Sequence, residues 1–210
     1  DALTELPNRR MLIERLGQAM TSSSRSHQHA ALLFIDLDNF KMLNDTHGHY
    51  MGDLLLQQVA VRLRGSVREV DTVARLGGDE FVGMVEELSQ DETQAAAQVK
   101  VVAEKILVAL NQIYPLRGQE HHSTPSLGIT LFLGQQETSD ELLKRADVAM
   151  YQAKAAGRNT LRFFDPAMQA AVATRAELEK NLRQCLLRDK LVLYYQPVVQ
   201  SPRSSQLLPS

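Results

Sequence analysis

Hydrophobic positions recur along this chain with two periods, and the switches between them mark out its elements. From about Pro7 to Met20, the spacing of Met11, Leu12, Leu16 and Ala19 predicts a short amphipathic helix, and Ser22–His29 reads as a polar connector. Ala30–Ile35 is an unbroken apolar run, the pattern of a strand buried on both faces, ending at Asp36-Leu37-Asp38. A short helical turn (Phe40 to Asn44) and a glycine-bearing loop (Asn44 to His49) follow. A helix is then predicted from about Asp53 to Val67, with Leu55, Leu56, Val59, Ala60 and Leu63 on one face.

Gly77-Gly78 lies between the apolar runs at Val73-Ala74 and Phe81–Val85, which predicts a hairpin turned on the glycines. A long helix from about Asp91 to Ile113 carries Ala95, Val99, Val102, Ile106 and Leu110. Strands are expected around Tyr114–Gln119 and Ser126–Leu133. Thr138-Ser139-Asp140-Glu141 is a capping box opening a helix whose stripe is Leu142, Ala146, Ala149, Met150 and Ala153, with Gly157 at its stop. Thr160–Phe164 reads as the last strand of a domain spanning residues 1–165. A linker helix (Pro166 to Leu187), a strand (Leu191 to Tyr195) and a disordered tail (Gln200 to Ser210) complete the prediction. Strands and helices alternate, but a hairpin interrupts them, so the sheet is mixed. That favours a ferredoxin-like α+β sandwich over a doubly wound parallel sheet.

Composition narrows the classes. A net charge of −2 offers no basic field for nucleic acid, and the single cysteine, Cys185, cannot build a disulfide framework. No apolar run approaches the roughly 18 residues needed to span a bilayer, so a cytoplasmic domain is expected.

The chemistry gathers at Arg75-Leu76-Gly77-Gly78-Asp79-Glu80-Phe81. Adjacent carboxylates entering a buried strand repel each other, which invites a cation, although a solvated turn with surface acids is the better reading of these residues alone. Asp36, at the tip of one strand, and Asp79, at a neighbouring hairpin, would make a two-carboxylate site for Mg²⁺. Asp36 and Asp38 fail as a calcium loop, because Phe40 and Lys41 stand where an oxygen ligand and glycine are needed. No Walker A or G-x-G-x-x-G sequence is present, so phosphates would fall to Lys41, Lys154 and Arg158. Asn44 and Asp53 suit a guanine edge, or equally a loop amide and a helix N-cap. His47, His49, His121 and His122 lack the company of a zinc motif and read as solvated loop residues.

Taken together and in order, these segments resemble the GGDEF domain of diguanylate cyclases over about residues 1–165. The resemblance rests on Asp1–Arg9, Phe34–Lys41, Asn44–His49, Gly52-Asp53, Gly77–Phe81, and Ala146-Asp147 through Tyr151, Lys154 and Gly157-Arg158-Asn159. It implies condensation of two GTP into cyclic di-GMP at a homodimer interface, with Mg²⁺ or Mn²⁺. Carried over by position, Asp36, the Leu37 carbonyl and Asp79 look like the metal ligands, and Asp79 or Glu80 like the base. Asn44 and Asp53, with His49 nearby, look like the guanine readers. Phe40, Lys41, Lys154 and Arg158 would meet the phosphates, while Gly77 and Gly78 admit the nucleotide. Arg68-Glu69-Val70-Asp71 resembles the family's R-x-x-D site for inhibitory product. Glu5 stands where many relatives have glycine. The stretch Glu177–Val199 resembles the opening of an EAL phosphodiesterase domain, as in composite proteins that also carry an upstream sensor. Such a composite leaves a second possibility, a silent nucleotide-binding module that controls its neighbour.

Overall fold

Ala30–Leu37 is buried at every position, as a strand with two apolar faces requires, and the sheet is built around it. The computed structural model describes residues 1–166. In chain order the elements are α1 (Arg9–Ser26), β1 (Ala30–Leu37), α2 (Phe40–His47), α3 (His49–Arg64), β2 (Thr72–Gly77) and β3 (Glu80–Val85). There follow α4 (Glu92–Leu110), β4 (Tyr114–Leu116), β5 (Gln119–His121), β6 (Pro125–Phe132), α5 (Ser139–Ala155) and β7 (Leu161–Phe163). The main sheet has the order β2-β3-β1-β6-β7, and β4 and β5 form a separate hairpin. Only β6 and β7 run parallel, so the expected mixed α+β sandwich is what forms.

Alternation along β1 feeds two cores. Ala31, Leu33, Ile35 and Leu37 pack with residues of α3 and α4, while Ala30, Leu32 and Phe34 pack with residues of α1 and α5. The α5 side is packed backbone to backbone at Gly128. A Cβ there would stand 2.0 Å from the Ala146 carbonyl and 2.1 Å from the Met150 nitrogen.

Several boundaries differ from the sequence reading. The polar connector is largely helical, because α1 continues to Ser26. Ser23 is buried there, its hydroxyl donating to the Gln28 carbonyl at 2.6 Å and accepting from the Gly134 nitrogen at 3.0 Å. The glycine-bearing loop shrinks to Gly48, whose φ of 83° ends α2 and opens α3. Asp53 therefore lies inside α3 and is no N-cap. The strand expected at Tyr114–Gln119 folds back on itself through Arg117 and Gly118, both at positive φ, so that Tyr114 pairs with His121. Pro125 is the first residue of β6 rather than a residue before it. The Asp38 amide donates to the Thr124 carbonyl, so the alternation of the ladder puts Leu37 and Pro125 at a non-hydrogen-bonded position. The missing proline N–H costs nothing there. The Thr138 cap holds, its hydroxyl accepting from the Glu141 amide at 3.2 Å.

No described helix is long and apolar enough to cross a membrane. The linker helix, the strand at Leu191–Tyr195 and the EAL-like stretch lie outside the described residues.

Candidate active site

The end of β1 and the tip of the β2–β3 hairpin meet at one edge of the sheet. Asp36 is the register partner of Glu80, and Gly77 pairs with Glu80 after a bulge between Arg75 and Gly77. The two turn residues are thus Gly78 and Asp79, one position later than the glycine pair suggests. Gly78, at φ 52°, supplies the left-handed conformation. Arg75 braces the turn: its Nε and Nη2 donate to the Gly78 carbonyl at 3.0 and 2.7 Å, and its Nη1 to Asp1 at 3.1 Å. The sequence reading gave this residue no role, because the carbonyl it holds is brought to it only by the fold of the turn.

Asp36 is buried and short of partners. Lys154 Nζ stands 2.6 Å from its Oδ1, yet no aligned hydrogen bond satisfies that oxygen. Burial raises the carboxyl to about 6, Asp79 and Asp38 push the same way, and the Lys154 ammonium opposes them. Glu80 is raised chiefly by burial and further by Asp147 and Asp79, with Lys154 and Arg9 opposing. Asp147, on α5, is also lifted by burial. One lysine is therefore the common counter-charge to Asp36, Glu80 and Asp147, an imbalance that a bound cation would relieve.

The donor set fits a hard divalent ion. Asp38 spends its backbone on β6, so the Leu37 carbonyl points to the other side, toward the hairpin, where position 79 lies opposite. Among the described residues no trio of His, Cys, Asp or Glu forms a ready metal cluster. Two carboxylates and a carbonyl leave the remaining positions to water or phosphate oxygens, which is how Mg²⁺ is commonly held.

Asp38 is a different kind of acid. Its carboxylate accepts from the Thr124 and Ser126 hydroxyls at 2.7 and 2.8 Å and from the Asn159 amide at 3.1 Å. It ties β1 to β6 and to the loop after α5.

The α2–α3 corner forms the other flank. Gly52 allows Asn44 and Phe40 to close on the α3 backbone, since a Cβ would meet Asn44 Oδ1 at 2.1 Å and Phe40 Cζ at 3.0 Å. Asn44 Oδ1 is buried with no hydrogen-bond partner among the described residues. Asp53 is exposed one residue on, and both it and Asp79 act on the charge of Arg75, so it faces the hairpin. Lys41, His49 and Arg158 are exposed, and no contact joins them to the acids. Burial and the nearby His47 and His122 push His121 down.

Arg68 and Asp71 lie at the other end of β2, about 20 Å from the turn at roughly 3.3 Å per residue. They are closed on each other. Asp71 accepts from Arg68 N, Nε and Nη2 at 2.9, 3.1 and 2.8 Å and from the Glu86 amide at 3.2 Å.

Comparison with known proteins gives these residues a context. The family model "Diguanylate cyclase, GGDEF domain" matches residues 1–160. The bifunctional diguanylate cyclase/cyclic di-GMP phosphodiesterase MucR of Pseudomonas aeruginosa is 44% identical over 207 residues, 99% of this chain but 29% of MucR. The chain thus spans under a third of that relative. The GGDEF domain of TpbB (YfiN) from the same species superposes with a TM-score of 0.77 at 36% identity, covering 82% of this chain and 98% of that one. The GGDEF domain of DgcB from Caulobacter crescentus, solved in complex with c-di-GMP, gives 0.70 at 28% identity, covering 78% and 94%. With its signature at a turn whose acids crowd the end of the central strand, the chain belongs to the GGDEF-domain family of diguanylate cyclases.

Proposed function

We propose that this domain is a diguanylate cyclase, condensing two GTP into cyclic di-GMP with release of two pyrophosphates. The observation that carries the reading is the meeting of Asp36, Asp79 and Glu80 at one sheet end, opposed by Lys154. In each half-reaction a 3′-hydroxyl attacks the α-phosphorus of the other GTP, the bond to pyrophosphate breaks, and the hydroxyl proton passes to the Asp79–Glu80 pair. Burial and like charge raise Glu80, as suits a proton acceptor. Asp36, the Leu37 carbonyl and Asp79 would hold Mg²⁺ or Mn²⁺, which when bound neutralises charge on the α-phosphate and the leaving group. Lys154 then turns from Asp36 to the phosphates, joined by Lys41, Arg158 and the Phe40 backbone.

Asn44 and Asp53, with His49, read the guanine, and the unpaired Asn44 oxygen is the group left waiting for it. Gly77 and Gly78 let the nucleotide approach the hairpin. One domain holds one GTP, so the reaction requires a homodimer. Product inhibition through Arg68 and Asp71 belongs to the same reading, with the Arg68 fork offered to guanine.

Nucleotide chromatography after incubating the stripped chain with GTP and Mg²⁺, over a range of protein concentrations, tests this. Cyclic di-GMP should form at a rate steeper than linear in protein and disappear in Glu80→Ala. GTP bound but never converted at high concentration would instead favour a second reading. In that reading the domain is a nucleotide-sensing module controlling an attached phosphodiesterase, and 35% identity over 199 residues with the cyclic di-GMP phosphodiesterase NbdA of Pseudomonas aeruginosa supports it.

A further inference from the structure

Between α5 and β7 the chain turns through successive residues at positive φ, Gly157 at 112°, Arg158 at 64° and Asn159 at 45°. One such residue suffices to end a helix, and Gly157 adopts that conformation at no steric cost. Arginine does not, and two adjacent side chains in the left-handed region persist only where their surroundings hold them there. Here the surroundings do. The Gly157 and Arg158 amides donate to the Lys154 and Ala153 carbonyls at 3.3 and 3.2 Å, and the Asn159 amide donates to the Asp38 carboxylate at 3.1 Å. A further hold comes from a separate element. Asn111, the residue that closes α4, donates from Nδ2 to Asn159 Oδ1 at 2.7 Å and to the Leu107 carbonyl at 2.8 Å. Both protons of that amide are committed, one to its own helix and one to the turn.

The turn lies where the acids gather. Asp38, which holds Asn159, is two residues beyond Asp36, and Lys154, at the end of α5, stands 2.6 Å from Asp36. Lys154 is fixed by its helix, whereas Arg158 has only the turn to aim it. We propose that Asn111 is a positioning residue for the phosphate grip: by tying the turn to the end of α4, it keeps Arg158 left-handed and offered to the outer phosphates of GTP. This role rests on the cyclase reading above and adds to it a residue that touches no substrate.

The test is titration of the full chain, with Mg²⁺, by 3′-deoxy-GTP, which lacks the attacking hydroxyl and so binds without turning over. Arg158→Ala sets the scale and should weaken binding about 10- to 100-fold, the range for a lost charge-assisted contact. Asn111→Ala should weaken it about 3- to 10-fold, the range for one hydrogen bond, and should have no effect once Arg158 is alanine. Asn159→Ala should bind less tightly than Asn159→Gly, since both lack the bond to Asn111 but glycine takes the left-handed conformation freely. This second pair carries the test if Asn111→Ala fails to fold. A loss in Asn111→Ala that persists in the Arg158→Ala background would mark a general effect on the fold and overturn the inference, as would glycine no better than alanine at position 159. Binding weakened by Arg158→Ala but unmoved by Asn111→Ala would overturn the positioning role while leaving the cyclase reading standing. Arg158→Ala without effect would remove the grip that Asn111 is held to position. No binding by the wild-type chain would sink both readings.

Discussion

The two ends of the β2–β3 hairpin each bury an acid, and they treat it in opposite ways. At the base, Asp71 has no exposed side-chain surface and accepts four hydrogen bonds from its own neighbourhood. At the tip, Asp36 is 9% exposed at its side chain and has one ammonium against it, without an aligned hydrogen bond. Asp38, two residues away, is satisfied by three hydrogen bonds. A buried carboxylate supplied with donors serves as architecture. One left short of them costs stability and so retains affinity for whatever cation arrives.

The largest test of that contrast is Asp36→Asn. Cyclic di-GMP formation should fall about 10²- to 10³-fold, as expected when a transition-state electrostatic contact is removed. The metal-free chain should become more stable by up to about 3 kcal/mol, because a charge whose burial outweighs its pairing with Lys154 has been deleted. Calorimetry would show the gain, and a fall in melting temperature would break the comparison.

Asp71→Ala should do the reverse to stability, costing about 2–4 kcal/mol by stranding the backbone amides of Arg68 and Glu86. Denaturant titration measures it, and a cost below about 0.5 kcal/mol would show that the satisfied acid carries no structural weight.

The same contrast has a pH signature. Asp36 titrates near 6 in the fold against an ordinary 3.8, so the folded chain holds that proton more tightly than the unfolded one. Stability from this group is full below about pH 4 and is lost as pH rises through about 6. The advantage of Asp36→Asn should therefore be complete above about pH 6 and vanish below about pH 4, in melts run with EDTA.

Gly52→Ala perturbs the opposite flank of the site more gently. Its Cβ displaces the Asn44 amide, a flexible end, so KM for GTP should rise about tenfold with little loss of stability. An unchanged KM would remove Asn44 from guanine recognition. The smallest expected effect is at Glu5, held at φ 57° with its carbonyl accepting from Arg64 at the end of α3. Glu5→Gly should gain about 0.5–1 kcal/mol from relieved backbone strain, readable as a small rise in melting temperature.

Much of the fold was legible because periodicity and burial agree. The unbroken run at Ala30–Ile35, the stripe on α5 and the Thr138 cap each announce their element locally. The misplaced boundaries have long-range causes. Ser23 is helical because Gly134 and Gln28 bond its hydroxyl, and Gly48 joins two helices because Asn44 and Phe40 close on Gly52. Among the site residues, Asp36, Asp79 and Glu80 could be named from composition and order. Arg75 could not, since its role depends on the Gly78 carbonyl folding back to it.

By itself the sequence determined which residues are acids, where the chain turns and which faces are apolar, since these follow from local chemistry and period. Only the tertiary structure decided which acids are satisfied. Asp36 and Asp38 share a residue type and a strand end, yet Thr124, Ser126 and Asn159 converge on one and not the other. Those donors lie more than eighty residues along the chain, and hydrogen bonding is settled by proximity in space, which spacing in the sequence does not record.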